Sequence, residues 1–241
     1  MGVNLPGFKK GDRTDIELPA VQRELIDALH RAGKKIILVN CSGSPIGLEP
    51  ETQKCEAILQ AWYPGQQGGK AVAEVLFGDY NPAGKLPVTF YRNVSQLPDF
   101  EDYNMTGRTY RYMQDVPLFP FGYGLSYTTF GYGKTVLDKN ELTAGQSLKL
   151  TVPVTNTGKC NGEEVVQVYL RKQGDAEGPI KTLRAFKRVS IPAGKTVNVE
   201  FDLKDKELEW WDDQSNTVRV CPGNYDIMVG GSSKEEDLQR T

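Results

Sequence analysis

The chain has 241 residues, 39% of them hydrophobic and 25% charged, an ordinary make-up for one large globular domain or two of usual size. Its formal net charge is −2, with acids and bases mixed along the sequence, which argues against nucleic acid or an anionic membrane as the main partner. No apolar run approaches the roughly 18 residues of a membrane span.

Residues 19–33 read as a helix, with Pro19 suited to the first helical position and Gly33 to the position just past the end. Val21, Leu25, Ala28, Leu29 and Ala32 recur at three-to-four spacing, which predicts a buried face. Ile36-Ile-Leu-Val39 is a continuous aliphatic run, the pattern of a strand covered on both faces in a parallel sheet. After a loop holding Gly43, Pro45, Gly47 and Pro50, a second short strand is expected at about 57–62. Gly65-Gln-Gln-Gly-Gly69 then makes a tight turn into a helix at about 69–77, with Ala71, Val72, Val75 and Leu76 inward. The turn lacks the spacing of a phosphate loop. About two βα units are visible.

Residues 92–132 change character, rich in Tyr, Phe, Pro, Gly and Asp with little periodicity, and read as a long ordered connector packed by its aromatics. From about 134 the period becomes two. Leu148, Leu150, Val152 and Val154 alternate with polar neighbours, as do Val166, Val168 and Leu170, and Val197, Val199, Phe201 and Leu203. Tyr225, Ile227 and Val229 make the last expected strand. Short alternating strands separated by Gly, Pro and Asn turns mean an antiparallel β-sandwich. Pro153 cannot donate to a ladder, which predicts an edge strand or a bulge. The fold class is therefore α/β plus all-β.

Three blocks carry a resemblance: Gly11-Asp-Arg-Thr-Asp-Ile-Glu-Leu-Pro-Ala-Val-Gln22; Ala61-Trp-Tyr-Pro-Gly-Gln-Gln-Gly-Gly69 with Leu76-Phe-Gly-Asp-Tyr-Asn-Pro-Ala-Gly-Lys-Leu-Pro-Val-Thr-Phe90; and Leu118-Phe-Pro-Phe-Gly-Tyr-Gly-Leu-Ser-Tyr-Thr-Thr-Phe130. In this order they resemble the second-domain signature of glycoside hydrolase family 3, the exo-acting β-glucosidases, β-xylosidases and relatives. The resemblance implies that residues 1–92 are the C-terminal part of that family's α/β sandwich domain, a partial parallel-type sheet with flanking helices. Residues 93–133 would be the aromatic-rich connector and 134–241 a fibronectin type III-like sandwich. It further implies a parent enzyme that hydrolyses terminal β-linked sugars of oligo- or polysaccharides, with retention and with no metal or organic cofactor. Its partners would be the glycoside substrate and an N-terminal (β/α) barrel carrying the nucleophilic Asp. Met1 stands only ten residues before the Gly11 block, so this chain is expected to lack the barrel, to fold, and not to catalyse alone. Family members are frequently secreted or periplasmic, and that is the compartment expected here.

Retaining glycosidases need two carboxylates about 5–5.5 Å apart. In this family the acid/base Glu commonly comes from the second domain, in an acidic cluster before the pair matching Asp12 and Arg13. Here Val3-Asn-Leu-Pro-Gly-Phe-Lys-Lys10 holds no acid, so no catalytic residue is carried over. Asp12 and Arg13 either line the sugar site or pair to fix the loop entering the first helix. In Phe100-Glu-Asp-Tyr-Asn-Met-Thr-Gly-Arg-Thr-Tyr-Arg-Tyr112, carboxylates, guanidinium groups and aromatic planes mix, and Arg108 and Tyr110 are the candidates for contact with a sugar. The alternative is a connector pinned by those two residues.

Other features have plainer readings. Asp15, Glu17 and Glu24 suit a solvated helix start, and His30 beside Arg31 suits a helix end. Trp62 and Tyr63 either stack on a sugar or belong to core, and Trp210-Trp211 either marks a carbohydrate-binding face or a turn with one Trp inward. The four cysteines make no C-x-x-C pair; Cys41 with Cys55 and Cys160 with Cys221 could bridge, or all four could be isolated thiols. Asn40, Asn93 and Asn104 each begin a glycosylation sequon.

Two further hypotheses stand beside the glycosidase fragment. A stand-alone binding module would need exposed coplanar aromatics on one sandwich face. Catalysis by this chain alone, through Asp12, Glu101 or Asp102, would lack a paired carboxylate. An incomplete sheet would also expose an unpaired edge and apolar surface.

Overall fold

The computed structural model describes residues 15–99 and 101–241, which gather into two compact units. The first holds the described residues up to Tyr80 with Val88–Arg108 and Gln114–Pro120; the second holds Asn81–Pro87, Thr109–Met113 and Phe121–Thr241. The aromatic segment is thus shared out, stretch by stretch, between the two.

In the first unit, α1 (Ala20–Arg31) leads to β1 (Ile37–Asn40), α2 (Glu49–Thr52), β2 (Ala57–Gln60) and α3 (Gly68–Phe77). Gly33, at φ 67, takes the left-handed position that ends α1. β1 and β2 pair in parallel, Ile37 with Ala57 through Asn40 with Gln60, and no further strand joins them among the described residues. A small core forms from Leu18, Ile26, Ile36, Ile46 and Leu48, with Leu38, Cys55, Ile58 and Leu118 against it.

The expected helix faces are corrected here. On α1 only Ile26 is buried, while Val21 and Leu25 are exposed by 72% and 60% and Ala28 and Leu29 are exposed too. Arg23, on the buried side, is tied to Glu51 and Glu17, which fixes the rotation of the helix and leaves the periodic stripe uncovered. On α3, Ala71 and Leu76 face solvent while Val72 and Val75 are half-buried. β1 is not covered on both faces either, since Ile37 is exposed. A two-stranded sheet has too little area to bury the flanks of both helices.

The second unit contributes α4 (Thr109–Tyr112), then β3 (Phe130–Tyr132), β4 (Val136–Leu137), β5 (Leu148–Asn156), β6 (Gly162–Lys172), β7 (Thr182–Ile191) and β8 (Thr196–Leu203). It continues with α5 (Asp205–Leu208), β9 (Trp210–Asp212), β10 (Thr217–Arg219), β11 (Tyr225–Gly230) and β12 (Leu238–Arg240). One sheet runs β12-β11-β6-β7, and in the other β5 pairs with β3, β4 and β8; every pairing in both is antiparallel. The alternating residues of β5, β6, β8 and β11 meet between the sheets, with Leu150, Val152, Val154, Val166 and Val168 fully buried. Each such side chain contributes on the order of 1.5–3 kcal/mol.

Pro153 does not sit on an edge strand, because β5 pairs along its length with β8. Its carbonyl accepts from Gly133 N on the other flank, just where β3 stops and before β4 begins. The missing donor therefore points at the break in that flank, where no ladder bond is lost. The strand expected to be last is followed by one more, β12, which pairs with β11. All four cysteines are free thiols, Cys221 being buried.

Candidate functional site

The carboxyl ends of β1 and β2 form one polar cluster. Parallel pairing sets Asn40 beside Gln60, and Asn40 Nδ2 donates to Gln60 Oε1 at 2.6 Å and to Ser42 Oγ at 3.0 Å. Gln60 Nε2 reaches Ser42 O at 3.3 Å, and Ser42 Oγ donates to Ser44 O at 2.8 Å. Asn40 begins a glycosylation sequon, but its side chain is buried and its Nδ2, the atom a glycan would occupy, is bonded to Gln60 and Ser42, so it is no acceptor for a glycan in the folded chain. Open α/β sheets bind ligands outside the carboxyl ends of their strands. Beyond the cluster, Trp62 adopts φ 55, a left-handed conformation that costs a bulky residue energy. Its ring meets Phe90 edge-on at 6.1 Å, and Phe90 meets Phe119 likewise, so Trp62 is part of the packing. Tyr63 is 79% exposed and its ring lies across Gly43, where a Cβ would fall 2.5 Å from it.

In the same unit, Arg23 Nε donates to Glu51 Oε1 at 2.8 Å and Nη2 to Glu17 Oε2 at 2.9 Å, with Gly47 O at 3.3 Å. Glu51 is completely buried. Glu17, expected in solvent, is half-buried in this cluster because the guanidinium fork can hold two carboxylates at once. The Glu51 hydrogen bond is the largest influence raising the Arg23 pKa.

Asp99 and residues 101–108 are held together by hydrogen bonds to their own backbone. Asp102 Oδ1 accepts from Asn104 N at 2.9 Å and Nδ2 at 2.7 Å, and these bonds hold the Asp102 carboxyl below the usual range. Arg108 Nε donates to Asn104 O at 2.9 Å, and Nη2 to Asp99 O at 3.3 Å and to Asp102 O. Arg108 thus braces three carbonyls of the loop. Tyr110, two residues on, belongs to the second unit: its ring stacks on Phe121 at 4.3 Å and meets Tyr169 edge-on at 5.9 Å. Its hydroxyl accepts from Leu183 N at 3.1 Å. The structure therefore does not gather Arg108 and Tyr110 within one unit, and Asp12 and Arg13 lie outside the described residues.

Acid–base chemistry on two carboxyls needs their pKa values pushed apart within one pocket. Asp102 is held ionised in the first unit, whereas the carboxyl pushed upward among the described residues is Glu164, buried beside Lys85 in the second. No group of three or more His, Cys, Asp or Glu is arranged to hold a metal among the described residues. On the sandwich, Trp210 is buried with Nε1 on Asp175 Oδ2 at 2.7 Å, while Trp211 is half-exposed. The exposed aromatics on its strands among the described residues, Phe186 on β7 and Trp211 on β9, stand on different sheets.

The model of the glycosyl hydrolase family 3 C-terminal domain matches residues 3–127, over half of the chain, and that of the fibronectin type III-like domain matches 164–233. The chain belongs to glycosyl hydrolase family 3. Along all of its length it is 58% identical over 240 residues to a xylan 1,4-beta-xylosidase of Xylanibacter ruminicola, spanning 28% of that protein. Over 92% of its length it is 39% identical to a periplasmic beta-glucosidase of Salmonella typhimurium, spanning 30% of it. Among solved structures, a β-glucosidase of Erythrobacter marinus superimposes with a TM-score of 0.85 at 41% identity, covering 98% of this chain and 31% of that one. The family 3 chain thus spans less than a third of each of these three relatives.

Proposed function

We propose that the chain is the C-terminal portion of a retaining exo-β-glycosidase that removes terminal β-linked xylose or glucose from oligo- or polysaccharides. The observation that carries this reading is the 58% identity, running the whole length of the chain, to a protein named as a xylan 1,4-beta-xylosidase. The catalytic nucleophile is supplied by an N-terminal (β/α) barrel outside these residues, and the chain alone is inactive. Its contribution is to complete the α/β domain that closes over the sugar and to carry the terminal sandwich. Asp102, whose pKa is lowered, and Glu164, whose pKa is raised, belong to different units, which supports inactivity of the isolated chain. Location outside the cytoplasm, secreted or periplasmic, goes with this reading and is in keeping with the periplasmic relative.

The test is hydrolysis of p-nitrophenyl β-glycosides by the 241-residue chain beside the full-length gene product. Activity in the longer protein alone is expected, with the β-xyloside cleaved fastest. Hydrolysis by the chain itself would overturn the proposal, and Asp12, Glu101 and Asp102 would be the first residues to replace.

A further inference from the structure

Two half-buried arginines of the second unit keep their Nε atoms out of solvent, and neither has a counter-ion among the described residues. Arg111 lies on α4 and Arg184 on β7, and the two elements are joined by Ile180 N donating to Arg111 O at 2.6 Å and Leu183 N donating to the Tyr110 hydroxyl at 3.1 Å. The Nε atoms of both arginines are buried and make no hydrogen bond, and neither does the buried Oγ1 of Thr182 at the start of β7. No ion pair joins either arginine to a carboxylate among the described residues.

Arg184 owes its direction to a break in register. Tyr169 of β6 faces Leu183 and Val168 faces Ala185, so Arg184 is the extra residue of a bulge. Bulges re-aim a side chain and recur beside binding sites. Here the guanidinium carbon of Arg184 sits 5.3 Å from the Trp210 ring centroid while Nη2 donates to Glu209 O at 2.6 Å. The guanidinium carbon of Arg111 lies 5.7 Å from the Tyr112 ring centroid. Burial, and after it the Arg111 charge, draw the Arg184 pKa down, against weaker opposing influences from Tyr110, Glu209 and Tyr225. Like charges held near one another with unbonded buried donors are costly, and such orphaned groups in folded proteins commonly mark a bound water or ion.

We propose that Arg111 and Arg184 form an anion site that takes a carboxylate, received by their half-buried guanidinium groups, with the Thr182 hydroxyl close at hand in the chain. A carboxylate suits the site because its planar pair of oxygens matches guanidinium donors. The group comes from an acidic sugar or from an acidic protein side chain; both present the same chemistry. The site does not depend on the glycosidase reading.

The arginine Nε–H resonances of the 15N-labelled chain report on it directly. At fixed ionic strength, sodium glucuronate and sodium acetate should each shift both resonances to saturation, while neutral xylose leaves them in place. Saturation at a lower concentration of glucuronate assigns an acidic sugar, and equal saturation assigns a plain carboxylate such as Asp or Glu. Arg111→Gln should weaken the response of Arg184 by about tenfold. Should that variant unfold, Arg111→Lys keeps the charge but loses the planar fork and should weaken it in the same direction. Shifts that never saturate, that xylose reproduces, or that persist unchanged in a folded Arg111 variant would overturn the proposal.

Discussion

Lys85 Nζ stands 3.1 Å from Glu164 Oε1 within the second unit, with only 16% and 7% of the two side chains exposed. Lys85 also donates to Gly124 O at 3.0 Å, and Val165 N donates to Glu164 Oε1 at 2.8 Å. A lysine from the Gly84-Lys85-Leu86-Pro87 stretch is therefore fastened to β6 of the sandwich. Burial pushes the Glu164 carboxyl above its ordinary value near 4.5, and the Lys85 charge is the strongest influence pulling it back.

Lys85→Met should cost about 3 kcal/mol near neutral pH, because it strands a buried carboxylate. A carboxyl whose folded pKa is raised holds its proton more tightly in the folded state, so its penalty is absent below the ordinary value. That penalty sets in as pH climbs through the raised one. Without Lys85 the folded pKa rises further, and the destabilisation should be larger at neutral pH than in mild acid. Amide exchange of β6 at the two pH values reads this; an equal loss at both would refute the role given to Glu164.

Arg23 is the corresponding node of the first unit. Arg23→Met leaves Glu51, which has no exposed surface, without its partner and should cost about 3 kcal/mol. Glu17→Gln, at a side chain 25% exposed, should cost less than about 1 kcal/mol. Amide exchange over residues 46–52 separates the two, and similar effects would show that burial of Glu51 does not set the scale.

The sandwich was legible because period two survives in β5, β6 and β8, where one face is buried along the whole strand. β1, β2 and both longer helices of the first unit were legible for the same reason of local pattern. What the pattern could not say was which helix face is covered: Val21, Leu25 and Leu29 are periodic, yet among the described residues they stay exposed. Arg23, Glu51, Lys85 and Glu164 lay beyond reach because ion pairs between residues far apart in sequence depend on tertiary structure. The slip that exposes Arg184 as a bulge likewise arises from pairing between β6 and β7, and no residue of β7 announces it.

Glycine positions give a contrast in sign. At Gly230, paired with Leu238, a Cβ would fall 2.0 Å from Asp237 O, a backbone atom with no room to retreat. Gly230→Ala should cost about 2 kcal/mol and loosen β12 from β11. At Gly69, within α3, a Cβ meets nothing inside 4 Å. Gly69→Ala should stabilise by about 0.5 kcal/mol through the lower entropy of the unfolded chain. Paired melting curves check both, and a neutral Gly230→Ala would mean that β12 can shift without loss.

The uncovered stripe of α1 has a consequence in solution. Val21, Leu25 and Leu29 follow one another at four-residue spacing, 72%, 60% and 38% exposed, so they form one ridge along the helix. Water-exposed apolar surface of this kind favours association, at roughly 25 cal/mol per Å² removed from solvent. The 241-residue chain should therefore self-associate as its concentration rises, seen as a growing weight-average mass in sedimentation equilibrium. Leu25→Glu should reduce that growth while changing stability by less than about 0.5 kcal/mol, since the side chain makes no part of the core. A wild-type chain that stays monomeric throughout would show that the ridge is too narrow to drive association, and one whose association Leu25→Glu leaves intact would place the contact elsewhere.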